Sequence, residues 1–203
     1  MLPAVDALGR LRDGNRRFVA CVQGGTAIAS RPVLTTGQEP IAIILGCSDA
    51  RVPAEIVFDQ GLGDLFVIRV AGNIVAPSQV GSVEFAAERF GTRLVVVLGH
   101  TQCGAIAATI EELQRPATIR SRNLSSIVDR VRPSVQALMS TELANDLDTL
   151  SRQAIRLNIR ASVDHLRHGS GVLEQLGQQE GLRVVGAEYD VGSGAVEFLD
   201  GLD

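Results

Sequence analysis

Four short, mainly apolar runs, at 41–45, 65–70, 94–98 and 182–185, the second and fourth each carrying one arginine, constrain this chain more than any other feature. A run with no polar alternation has no face to give to water. It suits a strand covered on both sides, as strands of parallel sheets are. Helical patterns intervene at 53–59, about 78–90 and 102–113. This alternation predicts an α/β fold with a mostly parallel central sheet flanked by helices. The stretch 118–179 reads as nearly all helix, interrupted at Pro133 and broken again near Gly169 and Gly171. The end of the chain, 184–199, reads as two strands joined across 190–194, an antiparallel hairpin at the sheet edge. Before the first run, Val5, Leu8, Leu11, Phe18, Val19 and Val22 recur at helical spacing. They predict an amphipathic helix ending near Gly24 and Gly25, with a loop over 26–40 after it.

A chain of 203 residues, 45% hydrophobic and 21% charged, is long enough to bury one substantial core. The expectation is one domain over 1–203 with an N-terminal helical arm at about 3–23. The net charge is -4 and there is no basic block, which argues against a nucleic acid or an anionic membrane as partner. No apolar stretch is long enough to span a bilayer and no secretory apolar segment opens the chain. With three cysteines only, a reducing cytoplasm is the expected location. Cys21, in the N-terminal helix, is expected to be a buried or half-buried thiol without a chemical task.

Two of the aliphatic runs lead directly into residues that bind metals. The first continues as Gly46-Cys47-Ser48-Asp49-Ala50-Arg51, and the third as Gly99-His100-Thr101-Gln102-Cys103-Gly104. Side chains that follow parallel strands stand at the carboxyl edge of the sheet, where open α/β folds build their sites. Thiolate and imidazole together suit zinc, whose catalytic sites use three protein ligands and keep a fourth position open. Cys47, His100 and Cys103 supply three, and one turn of chain brings the last two together. Asp49 is open to two readings, a fourth oxygen ligand or a base beside the metal. Cys47 and Cys103 do not form a Cys-x-x-Cys pair, so thiol redox chemistry is the weaker alternative. Cys103, near the start of a predicted helix, gains from the helix N-terminus, which favours the thiolate. Gly104 has no side chain to keep its N–H from a bound oxygen.

These motifs, with Gly63-Asp64-Leu65-Phe66-Val67-Ile68-Arg69 and Glu84-Phe85-Ala86 between them and Gly14-Asn15-Arg16-Arg17-Phe18 upstream, resemble the β-class carbonic anhydrases over nearly the whole chain. The resemblance implies reversible hydration of carbon dioxide to bicarbonate and a proton by attack of zinc-bound hydroxide. Zinc would be held by Cys47, His100 and Cys103. Asp49 would be kept off the metal by Arg51 and would orient the hydroxide; in a closed state it would be the fourth ligand. The Gly104 N–H and Gln38 would meet bicarbonate, and Phe66, Ala71 and Phe85 would line the apolar cleft. The family also implies a homodimer or tetramer whose N-terminal helix lies across the neighbour and whose clefts draw on both chains.

Two thiolate ligands imply a zinc-water less acidic than one held by histidines alone, hence a rate rising toward alkaline pH. Bicarbonate-inhibited bacterial members carry a tryptophan three residues before the first zinc cysteine. Ile44 stands there in a chain with no tryptophan, so that regulation is expected to be missing although Arg69 remains. His165 and His168, in a distant helical segment, are not expected to shuttle protons. The rival functions are a related zinc hydrolase acting on carbonyl sulfide or carbon disulfide, and a zinc- or bicarbonate-binding protein without turnover.

Overall fold

The computed structural model describes residues 2–24, 37–115 and 121–199. Most of the loop expected over 26–40, and the start of the helical stretch expected from 118, lie outside the described residues. Strands β1 (Ala42–Gly46), β2 (Leu65–Arg69), β3 (Leu94–His100) and β4 (Arg183–Tyr189) run parallel, and β5 (Val196–Phe198) lies antiparallel to β4. The order across the sheet is β2-β1-β3-β4-β5. The α/β fold and its antiparallel edge hairpin are as the sequence pattern predicts.

All residues of β1 and β3 are buried, which accounts for their unbroken aliphatic character. The run at 65–70 behaves differently. β2 is an edge strand, so Phe66, Val67 and Ile68 are half-buried and Arg69 is exposed. Side chains alternate across the sheet. Ile43, Leu45, Val95, Val97 and Val184 share a core with the helices α3 (Pro77–Arg89), α4 (Gly104–Gln114), α5 (Arg122–Met139), α6 (Leu147–His168) and α7 (Gly171–Gln179). Ile44, Val96, Leu98, Val185 and Ala187 share another with α1 (Ala4–Gly24) and α2 (Ala54–Val57).

Residues Leu8, Leu11 and Phe18 of α1 pack on the chain's own sheet, each contributing about 1.5–3 kcal/mol of hydrophobic stabilisation. Gly14 makes the approach possible, since a Cβ there would lie 1.7 Å from the Phe58 carbonyl oxygen. Asn15, 6% exposed, then joins three parts of the fold. Its amide donates to the carbonyls of Val57 (3.0 Å) and Gly194 (2.9 Å), and its oxygen accepts from the Val196 N–H (2.9 Å). Val5 and Val22, expected on the apolar stripe, instead lie 64% and 51% exposed. The buried stripe runs through Ala4, Ala7, Leu8, Leu11, Gly14, Asn15 and Phe18, so Val5 falls beside it and Val22 lies past its last residue.

Pro133 does not interrupt its helix, contrary to expectation; α5 runs through it. Proline removes one N–H and frees the carbonyl four residues back, and both Pro133 and Asp129 face solvent, where water replaces the lost bond. Ser121, Asp146 and Ser170 begin α5, α6 and α7, each accepting a backbone N–H with its side chain. Among the described residues no helix is long and apolar enough to cross a membrane.

Candidate metal centre

In the observed strand order β1 connects outward to β2 on one side, while β3 connects to β4 on the other. Their outgoing chains therefore diverge at the carboxyl edge and leave a crevice between neighbouring strands. Gly46 pairs with Leu98, so Cys47, the next residue, stands beside the end of β3, where His100 is the last residue. The chain then turns through Gln102, held at φ 58°, in the left-handed region few side chains adopt. That turn returns Cys103 to the crevice as the residue capping α4.

The ligand atoms of Cys47, His100 and Cys103 lie within 4.8 Å of one another. All three residues are buried, at 5%, 0% and 3% exposure. His100 Nδ1 donates to the Thr101 carbonyl at 2.9 Å, which leaves Nε2 as the free lone pair. Nε2 is buried with no hydrogen-bond partner among the described residues. Hydrogen bonding to Cys103 draws the Cys47 thiol well below its ordinary pKa against the opposing effect of burial, and the Gly72 and Asp49 amides add to it. The Cys103 thiol is pushed up by the same interaction and by burial, opposed by the Ile106 and Ala105 amides in the first turn of α4. Two sulfurs and an unpaired imidazole nitrogen in a dry crevice make a donor set that fits zinc.

Arg51 holds Asp49 on the rim of this crevice. Its Nε reaches Oδ1 at 2.9 Å, its Nη2 reaches Oδ2 at 2.8 Å, and its backbone N–H adds a third bond to Oδ1 at 3.0 Å. The guanidinium also reaches the Gln102 carbonyl at 3.3 Å, tying the two ligand loops together. Hydrogen bonding to Arg51 keeps the Asp49 carboxyl well below the usual carboxylate range. The Asp49 Oδ2 is 3.9 Å from His100 Nε2. With Arg51 half exposed, such a pair adds little stability, so its consequence is where it puts the carboxylate.

Below the loop, Arg69 donates to the carbonyls of Cys47 (3.1 Å) and Asp49 (2.5 Å). The Gly72 N–H points at Cys47 Sγ from 3.4 Å. Ala71 shares that turn and is half-buried. Gly104 opens α4, is exposed, and has nothing within 4 Å of where a Cβ would be.

Three of the cleft residues expected from sequence lie elsewhere. Phe66 pairs with Ile43 near the start of β1. It forms an aromatic group with Phe85 and Phe90, the ring centroids 5.8–6.2 Å apart, and Phe85 is 53% exposed. Gln38 lines a cavity of about 500 Å³ with Leu2, Pro40, Ile41, Phe90 and Thr92. All three stand toward the amino edge of the sheet, away from this chain's own Cys47 and His100. His165 borders a separate cavity between α3 and α6. Gly72, and the α6 residues that hold its turn, had not been singled out from sequence. The signal available for them was two polar residues, Asn158 and Ser162, on an otherwise apolar helical stripe.

The sequence profile of the family described as "Carbonic anhydrase" matches residues 42–196. A carbonic anhydrase of Mycolicibacterium smegmatis is 38% identical over 197 residues, covering 96% of this chain and 92% of the relative. Carbonic anhydrase 2 of Mycobacterium tuberculosis is 36% identical over 200 residues, covering 97% and 93%. The crystal structure of a β-carbonic anhydrase from the fungal pathogen Aspergillus fumigatus superposes with a TM-score of 0.74 at 29% identity, covering 92% of this chain and 87% of that one. A structure described as one of two tetrameric β-carbonic anhydrases from Sordaria macrospora has the same fold, with a TM-score of 0.72 at 23% identity over 96% and 91% of the two chains.

Proposed function

Because this chain belongs to the β-class carbonic anhydrase family, we propose that Cys47, His100 and Cys103 hold zinc and that the centre carries out the reversible hydration of carbon dioxide to bicarbonate and a proton. The observation that carries this reading is the convergence of three buried donors beside a carboxylate already engaged by an arginine. Bound there, zinc supplies a Lewis-acidic open position at which water is ionised, the two thiolates setting that ionisation toward the alkaline side.

The chain's own residues prepare that position. Arg51 restrains Asp49 so that the carboxylate does not occupy it as a fourth ligand, and leaves an oxygen able to accept a hydrogen bond from the attacking water. The Gly104 N–H, at the positive end of α4 with open space beside it, is placed to meet the product anion. Ala71 contributes to the apolar wall. Gln38, Phe66 and Phe85, remote from the metal ligands of their own chain, serve the cleft of a second copy in a homodimer or a larger symmetric assembly. The exposed Phe85 beside the half-buried edge strand β2 supports that placement. The three free cysteines suit a reducing compartment, and we place the protein in the cytoplasm.

Stopped-flow measurement of carbon dioxide hydration, with zinc content determined on the same sample, tests the proposal. Zinc bound with turnover rising toward alkaline pH supports it. Zinc bound without hydration at alkaline pH establishes a binding protein instead, and faster turnover of carbonyl sulfide or carbon disulfide a hydrolase.

A further inference from the structure

We infer that Asn158 and Ser162 are positioning residues for the metal centre, acting through the buried Ala71–Asn73 turn; this rests on the zinc reading above. The turn has two consecutive left-handed residues, Gly72 at φ 71° and Asn73 at φ 43°. Glycine and asparagine tolerate this region, but two such residues in succession inside the fold are kept in place by their surroundings. Gly72 cannot be replaced without strain, and a Cβ there would also press on the Ala105 side chain at 3.0 Å. What fixes the turn is α6. The Asn158 amide donates to the Gly72 carbonyl at 2.8 Å, and Ser162, one helical turn later, donates to the Asn73 carbonyl at 3.1 Å. Both side chains are buried, at 3% and 5% exposure, where a lost hydrogen bond is costly.

The N–H of the same residue, in the preceding peptide unit, faces the metal ligands and donates to Cys47 Sγ at 3.4 Å. An N–H aimed at a ligand sulfur draws electron density from it and fixes its direction. Losing such an outer partner typically costs about 10–100-fold in metal affinity. Asn158 and Ser162 touch neither metal ligand nor substrate; they set where that N–H points.

The test measures zinc affinity by chelator competition, and the sulfur-to-metal charge-transfer band after cobalt(II) substitution, in the full chain and in Asn158→Leu and Ser162→Ala. Leu166→Ala, one turn beyond Ser162 on the same helix, controls for general loss of stability. The expected result is zinc affinity about 10-fold weaker or more in Asn158→Leu. The cobalt band moves to longer wavelength as the sulfur becomes more electron-rich, with the same changes, smaller, in Ser162→Ala. Ser162→Thr, which keeps the hydroxyl, restores both, and Leu166→Ala melts lower without moving either. If Asn158→Leu and Ser162→Ala bind zinc as the parent does with the same band, the inference is overturned while the metal reading stands. Should Asn158→Leu fail to fold, Ser162→Ala and Ser162→Thr decide. If the parent chain does not bind zinc at all, both fall.

Discussion

Asp49 and Arg51 face each other through both carboxylate oxygens, at 2.9 Å from Nε to Oδ1 and 2.8 Å from Nη2 to Oδ2. They are only two residues apart, so the loop after β1 closes on itself and carries the carboxylate as part of its own structure.

Arg51→Ala releases the carboxylate toward the metal. Carbon dioxide hydration is expected to fall about 10–100-fold with zinc content unchanged. Asp49→Asn is expected to lose activity to a similar extent. Stopped-flow assays paired with metal analysis check this, and an Arg51→Ala enzyme as active as its parent would refute the gatekeeping role.

Removing the metal with a chelator is expected to lower the melting temperature, because a ligand that binds only the folded chain stabilises it by mass action. At free zinc ~1,000 times the dissociation constant the contribution is about 4 kcal/mol. Re-adding zinc restores the melting temperature in the parent and not in Cys47→Ser. A melting temperature indifferent to zinc would mean that the three donors do not hold it.

If Gln38 serves a neighbour's centre, two inactive chains repair each other. Cys47→Ser lacks a metal ligand and Gln38→Ala lacks the cleft amide, yet a mixed dimer has one complete centre. With random pairing about a quarter of parent activity returns on co-expression. No recovery in a preparation shown by mass spectrometry to contain mixed dimers would place Gln38 with its own chain or outside the reaction.

Asp190 makes the hairpin turn acid-sensitive. The Ser193 N–H and hydroxyl and the Gly192 N–H donate to its carboxylate, which holds its pKa below the usual range. A depressed carboxylate stabilises the fold at pH values above its unfolded pKa, and that contribution disappears as pH falls through the folded value. Asp190→Ala is therefore expected to be less stable than the parent near pH 7, with the difference shrinking toward about pH 3. Urea unfolding at both pH values measures it. A difference that does not change with pH would assign the role to turn geometry and not to charge.

What could be read from sequence was local. An unbroken aliphatic run ending in glycine and a ligand-type residue marks a buried strand and its carboxyl edge together, so Cys47, His100 and Cys103 were legible as a group. Gly14 was visible as part of a motif, but its reason, a carbonyl 1.7 Å from where a Cβ would be, comes from a segment far along the chain. Pro133 misled because helix disruption depends on which face the proline occupies, and α5 places it toward water. Phe66 is expected at the apolar cleft, but that β2 is an edge strand, which decides which chain's cleft Phe66 can reach, is a property of strand order and not of the run itself. The Asn158 and Ser162 contacts could not be foreseen, since a polar residue on an apolar stripe does not say which carbonyl it meets.

The neighbouring placement of β1 and β3 also sets a time of assembly. In chain order α2, β2 and α3 come between them, so a newly synthesised chain has its first sulfur long before it has the imidazole and second sulfur. A single thiol is a poor chelator, and the ligands gain each other's help only when the two strands lie side by side. A metal held by all three donors would therefore be captured only once β1 and β3 lie side by side. On the zinc reading, occupancy of the site would report that the chain has been made through Cys103 and that its two central strands have paired.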